Sequence, residues 1–257
     1  MPRNLETALR ELCLALPETD VVISHGAPNY RVRNRSFATY QLNHHGDRRV
    51  ALWLAAPPGA QQLYTEMEPD AYFVPPYVGP RGWLGVELDK LPWQTVAKRV
   101  REAFIEVAPR TLSNMLPPEL TVAPPSRYPA PEDVDPFLRP KVRKVLNRLD
   151  RFCGGLPETA RAEAFGSPTW KAGSKTFASL QHYRGRLALS VWVGIERQPM
   201  LTLDPRYRIP AYMGHNGWIE LELEGAPDWR EIEALVLASY RHFALKRMVQ
   251  ALDARDA

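Results

Sequence analysis

Cysteine is scarce: Cys13 and Cys153 are the only two among 257 residues. They occupy matching places in two similar halves, so a bridge between them would have to join two separate cores, and both are expected as free buried thiols. No CxxC or HExxH spacing occurs, and one cysteine per half supplies too few ligands for a metal, so neither metal nor cofactor is expected. Loops of the GxGxxG type, or GxxxxGK followed by Ser or Thr, are missing, which argues against a nucleotide cradled that way. No apolar run reaches 18 residues and no charged-then-apolar leader opens the chain. The expectation is a cytoplasmic protein with no membrane contact. The six histidines show no catalytic pattern, although a Ser-His-Asp or Cys-His group joined only in space stays open.

What is present is a repeat. Leu16-Pro17-Glu18-Thr19 returns as Leu156-Pro157-Glu158-Thr159, and the same offset of 140 pairs Cys13 with Cys153, Gly26 with Gly166, Pro28 with Pro168, and Phe37-Ala38 with Phe177-Ala178. Val74-Pro75-Pro76-Tyr77 with Gly82-Trp83 returns as Ile209-Pro210-Ala211-Tyr212 with Gly217-Trp218, at an offset of 135. A period this long is a duplicated domain, not a solenoid. Three segments follow: a first domain at 1–115, a proline-rich connector at 116–136 and a second domain at 137–257. The connector composition favours an extended, semi-rigid strap, along which Leu120, Val122, Tyr128 and Phe137 could touch a domain surface.

Within copy one, Leu5, Leu9, Leu12, Cys13 and Leu16 recur at helical spacing behind a candidate N-cap, Asn4. Short strands follow over 21–24, 29–33, 37–42 and 50–54, then a short helix over 60–67, strands at 71–74 and 83–88, and a closing helix over 93–108 with Val96, Val100, Phe104 and Val107 on one face. Copy two repeats the order with helices over 142–153 and 229–243. Consecutive strands with short turns predict antiparallel sheets with helices packed on one face, an α+β class.

The run from Gly26-Ala27-Pro28-Asn29-Tyr30-Arg31 to Ser36-Phe37-Ala38, the later Tyr72-Phe73-Val74-Pro75-Pro76-Tyr77 with Gly82-Trp83, and Val107-Ala108-Pro109-Arg110 resemble the MmcQ/YjbR family. Copy two resembles it through Gly166-Ser167-Pro168-Thr169-Trp170, Phe177-Ala178, Ile209-Pro210-Ala211-Tyr212, Gly217-Trp218 and Ala244-Leu245-Lys246-Arg247. The resemblance implies two tandem domains of a compact α+β fold related to the CyaY/frataxin group, in a family labelled DNA-binding that offers no agreed catalytic residues to transfer. A frataxin-like iron role would need clustered carboxylates, and the first helix of copy one offers only Glu6 and Glu11.

The net charge of +4 is unevenly spread: residues 1–116 carry 13 basic and 12 acidic side chains, 136–257 carry 19 and 13. Lys141, Lys144, Arg148 and Arg151 recur on one helical face opposite Val142, Val145, Leu146 and Leu149, so one face can dock, and the other is either a phosphate-binding surface or an ordinary solvated helix face. A second basic group, Arg31, Arg33 and Arg35, falls on one side of a strand if that strand is regular, with Lys171 and Lys175 in the matching region; a wing on a nucleic-acid groove competes with an ordinary polar sheet face. Tyr77, Trp83, Tyr212 and Trp218 are candidates for a small-molecule pocket or for core anchors at a loop corner. Trp53 and Trp192 read as core, His25 against Phe165 as a packing position, and Glu18 and Glu158, with Thr19 and Thr159, as caps of backbone N–H groups at a turn. The reading is a non-enzymatic, monomeric, DNA-binding protein with two domains related by a pseudo-two-fold. Alternatives are a small-molecule binder or enzyme with a cleft near the Tyr and Gly-Trp corners, and a protein-interaction scaffold.

Overall fold

The computed structural model describes residues 3–183, 185–225 and 227–255, and the chain divides into two compact units, Met1–Val134 and Asp135–Ala257. The first unit runs α1 (Leu5–Leu14), β1 (Thr19–Ser24), β2 (Ala27–Val32), β3 (Arg35–Leu42), β4 (Val50–Leu54), α2 (Ala60–Met67), β5 (Tyr72–Phe73), β6 (Leu84–Glu87), α3 (Trp93–Val107), α4 (Arg110–Ser113) and α5 (Pro131–Val134). Its strands form one antiparallel sheet in the order β1-β2-β3-β4-β6-β5. The second unit runs α6 (Pro140–Gly154), β7 (Thr159–Ala164), β8 (Ser167–Ala172), β9 (Lys175–Tyr183), β10 (Arg186–Trp192), α7 (Gln198–Leu201), β11 (Tyr207–Arg208), β12 (Trp218–Glu222), α8 (Trp229–Phe243) and α9 (Lys246–Asp253). Its sheet has the same neighbours in the order β11-β12-β10-β9-β8-β7. Each unit is the α+β domain that the sequence predicts.

Helix α1 starts where Asn4 accepts a hydrogen bond from the Thr7 backbone N–H at 2.8 Å, satisfying one of the free donors of the first turn. It buries Leu5, Ala8, Leu9, Leu12 and Cys13, and α3 buries Val96, Val100, Phe104 and Val107 against the same side of the sheet. Phe37 on β3 meets Phe104 on α3 edge-to-face, centroids 5.8 Å apart; Phe177 on β9 meets Tyr240 on α8 in the same way at 5.4 Å. Burial pushes the Cys13 and Cys153 thiols far up, which keeps both protonated and inert.

The Leu-Pro-Glu-Thr element does different work from the expected N–H capping. Thr19 donates its hydroxyl to the carbonyls of Cys13 and Leu16, and Thr159 to those of Cys153 and Leu156, so the threonine closes the carbonyl end of the helix. His25 is not a packing position either. His25 and Gly26, like Phe165 and Gly166, all have positive φ and form the tight two-residue hairpin turn, leaving Phe165 exposed. The proline-rich stretch lies along the first unit: Leu116, Leu120, Val122 and Tyr128 pack on its core, and the Trp93 indole donates to the Val122 carbonyl at 2.8 Å. Phe137 packs on the second core.

The sheet face away from α1 and α3 carries its own small cluster in unit one, where Trp53 packs with Ala51 and Phe73. Trp192, in contrast, ends β10 half-exposed, its ring stacked on His242 at 3.4 Å; it is not a core residue. Gly85 on β6 has no room for a side chain, because the Phe73 ring lies 2.5–2.6 Å from where its Cβ would be. Gly85→Ala is therefore expected to destabilise the first unit by about 1–3 kcal/mol, and Phe73→Leu in the same chain to return part of that loss in urea unfolding.

Candidate functional site

Two places gather the sequence-selected residues: the corner between α2 and β6, with its counterpart between α7 and β12, and the outer face of α6. Each corner is held by a glutamine. The Gln61 amide donates to the Gly79 carbonyl at 2.9 Å and to the Trp83 carbonyl; Gln198, 4% exposed, donates to the Gly214 and Trp218 carbonyls at 2.8 and 2.7 Å. Thr65 and Thr202, four residues on, donate to the Gln61 and Gln198 carbonyls. None of these four was picked out from the sequence. They were visible there as a third matched offset, 137, although glutamine and threonine carry no strong signal by themselves.

The clamp fixes a loop whose aromatics split in two. Trp218 is buried and stacks on Phe243, and Trp83 is half-buried beside Trp53 and Phe73. Tyr77 and Tyr212 point out, 68% and 91% exposed, so the tyrosines are not core anchors. Tyr77 sits at φ +63°, a left-handed conformation that a bulky residue adopts only when its surroundings enforce it. Its hydroxyl lies 3.0 Å from His45 Nε2. His44 packs edge-on to Trp53, rings 4.7 Å apart, with Nδ1 3.3 Å from Gln41 Oε1. Burial, and then the neighbouring His45, hold the His44 imidazole below its ordinary value.

The hairpin arginines do not form one basic side. The strand turns at Arg33 and Asn34, both at positive φ, so Arg31 lies on β2 and Arg35 on β3, opposite Val32. Cross-strand register sets Arg31 against Asp20 at 3.0 and 2.5 Å, while Arg33 grips Glu18 at 2.5 and 3.1 Å. These hydrogen bonds hold both carboxyls below the usual range, and two of the three cations are neutralised. In unit two Glu158 instead takes Arg247 of α9, at 2.9 and 2.6 Å. Arg35 and Lys175 are exposed beside their turns, and Lys171 is half-buried opposite Thr176.

Helix α6 is different. Val142, Leu149 and Cys153 bury one face, and Lys141, Arg143, Lys144, Arg148 and Arg151 are all exposed. Arg143, outside the expected stripe, belongs to this surface. The helix's one acid, Asp150, is turned toward the sheet, accepting from Arg161 Nε and Trp170 Nε1, both at 2.9 Å. Lys141, Arg143, Lys144 and Arg151 have no ion-pair partner among the described residues. In α1 the place of Arg151 is taken by Glu11, which is tied to Arg3.

A sequence model of the YjbR family matches the chain twice, over residues 14–105 and 154–242. The chain belongs to the YjbR family. It carries that family's domain in tandem, and searches of curated proteins and of solved structures each returned no match. Both glutamine-clamped corners lie inside the YjbR segments, whereas all but the last residue of α6, and all of α9, lie outside them. Among the described residues no three His, Cys, Asp or Glu side chains are grouped to hold a metal, and no helix is long and apolar enough to cross a membrane.

Two expectations follow for the YjbR corners. Gln198→Leu removes the side-chain donor from the Trp218 carbonyl and leaves the Gly214 carbonyl with the Gly217 N–H, and is expected to cost about 1–3 kcal/mol, with faster amide exchange at Gly214 and Gly217 than in the parent. For His44, whose folded value lies below the ordinary 6.5, the unfolded chain takes a proton more readily than the folded one. Stability is thus unaffected above pH 6.5 and falls as pH drops below it, a loss that His182, also lowered by burial, adds to. Thermal unfolding between pH 7.5 and 5.5 is expected to show a shallower decline in His44→Gln.

Proposed function

We propose that this YjbR protein is a non-enzymatic, cytoplasmic DNA-binding protein that holds the phosphate backbone on the outer face of α6. The observation that carries this reading is the set of four cations without ion-pair partners among the described residues, Lys141, Arg143, Lys144 and Arg151, on an exposed helix whose one acid, Asp150, is already engaged by Arg161 and Trp170. Cations that are not already ion-paired are what phosphate neutralisation requires. A rigid helix docked through Val142, Leu149 and Cys153 presents those cations at fixed spacing. The arginines of the first hairpin contribute less, because Asp20 and Glu18 already occupy Arg31 and Arg33. No base-reading group is part of the reading, so affinity is expected to be insensitive to sequence.

The salt dependence gives the test. If each of the four cations neutralises one phosphate, log affinity for duplex DNA falls with log salt at a slope of about −3.6, which weakens binding on the order of 100-fold between 50 and 200 mM salt. Fluorescence anisotropy with short labelled duplexes of several sequences measures it. Reversal of the four residues to Glu is expected to abolish binding, whereas Arg31→Glu with Arg33→Glu changes it little. Absence of binding at about 50 mM salt, where phosphate contacts are strongest, would sink the proposal.

A further inference from the structure

One exposed cation on α6 behaves unlike the other four. Arg148 lies one turn beyond Lys144 and one turn before Arg151, inside the basic face, yet it is the member already engaged. Its guanidinium donates to Glu233 Oε1 at 3.2 Å and lies over the Trp229 ring, 4.1 Å from the centroid. Both partners come from the first turns of α8, and the Trp229 ring is packed partly into the second core, so the platform under Arg148 is fixed. Guanidinium over indole combined with a carboxylate contact satisfies charge and ring face together. The pair is only half-exposed, with side-chain exposures of 48% and 35%, which leaves it less screened than a fully solvated one.

From this we infer that Glu233, with Trp229 beneath Arg148, withholds Arg148 from the phosphate face and so sets the number of phosphates that α6 engages. The inference rests on the DNA-binding reading given above and deepens it. Two consequences of the geometry act in the same direction. Glu233 engages Arg148, and its negative charge, set beside a cation that is one helical turn from Lys144 and Arg151, lowers the positive potential that a phosphate meets. Neutralising Glu233 removes both effects while leaving the Trp229 platform and the packing of α8 in place. Such a half-exposed ion pair adds little to stability, so variants at either partner are expected to fold, which thermal unfolding verifies.

The salt slope counts engaged phosphates, and one added contact changes it by about 0.9 for duplex DNA. Binding of labelled duplex across a salt series is measured for the parent, Glu233→Gln, Arg148→Gln and the double variant. The inference expects Glu233→Gln to steepen the slope by about 0.9 and to tighten binding by at least about threefold at low salt. Arg148→Gln alone leaves the parent slope unchanged, since that side chain is not on a phosphate. The double variant returns to the parent slope. If the parent and Glu233→Gln bind with equal slopes, or if Arg148→Gln flattens the parent slope by about 0.9, then Glu233 is not withholding Arg148 and the inference fails while the DNA-binding reading stands. If the parent binds no duplex at any salt, the reading itself fails and takes the inference with it.

Discussion

One ring pressed edge-on against another organises each domain. Phe37 on the strand β3 meets Phe104 on the closing helix, and Phe177 on β9 meets Tyr240 in the same way. The contact fixes the closing helix over the middle of the sheet, and the first helix must then fill the space beside it. That is why α1 and α6 share a buried cysteine near their ends and a threonine that caps their carbonyls, although their outer faces have little in common. In the second unit the Tyr240 hydroxyl also donates to the Pro157 carbonyl, which extends the ring contact to the Leu-Pro-Glu-Thr turn. Everything exposed is arranged on a frame set from inside.

The frame was legible in the sequence because burial imposes periods. Leu5, Leu9 and Leu12, or Val96, Val100 and Phe104, can only be one side of a helix, and the repeat placed their counterparts. Surface behaviour was less legible, for reasons that differ by residue. The neutralisation of Arg31 depends on Asp20 lying opposite it across β1 and β2, a fact of register that spacing along one strand does not contain. Tyr77 looked like an anchor because its neighbours are Pro and Gly. Its left-handed backbone, enforced by the glutamine-clamped loop, turns the ring outward instead. Arg143 was missed because a three-and-four stripe is narrower than the solvent-facing side of a helix docked through one row of apolar residues.

The same carboxylate position shows how the two copies diverge without changing the frame. Glu18 and Glu158 both sit in a left-handed conformation at the end of the first helix, and both are held by an arginine. In the first copy that arginine comes from the hairpin turn at Arg33; in the second the turn has Gly173 there, and Arg247 of α9 takes its place. A requirement for counter-charge is met twice from different parts of the chain, and the hairpin of the second copy is released from the task. Where a cation goes is thus decided by which acid stands near it. Charge count alone would treat the two hairpins and α6 as equivalent basic surfaces.

That distinction gives the placement of α6 its weight. The helix lies almost wholly outside the two segments that match the family, so its charge is not something family membership supplies. Its apolar face obeys the same constraint as α1, burying Leu149 and Cys153 where α1 buries Leu9 and Cys13. Its outer face is free of that constraint. There α1 carries Glu11 tied to Arg3, whereas α6 carries Arg151 with its acid, Asp150, turned to Arg161 and Trp170. An ordinary solvated helix would intersperse both signs of charge, because interspersed pairs along the surface relieve repulsion. Four like charges left unpaired within three turns repel one another, and in the free protein only solvent and mobile ions screen that repulsion. The second domain therefore keeps four exposed cations without ion-pair partners among the described residues, on a helix whose other face secures it to the core.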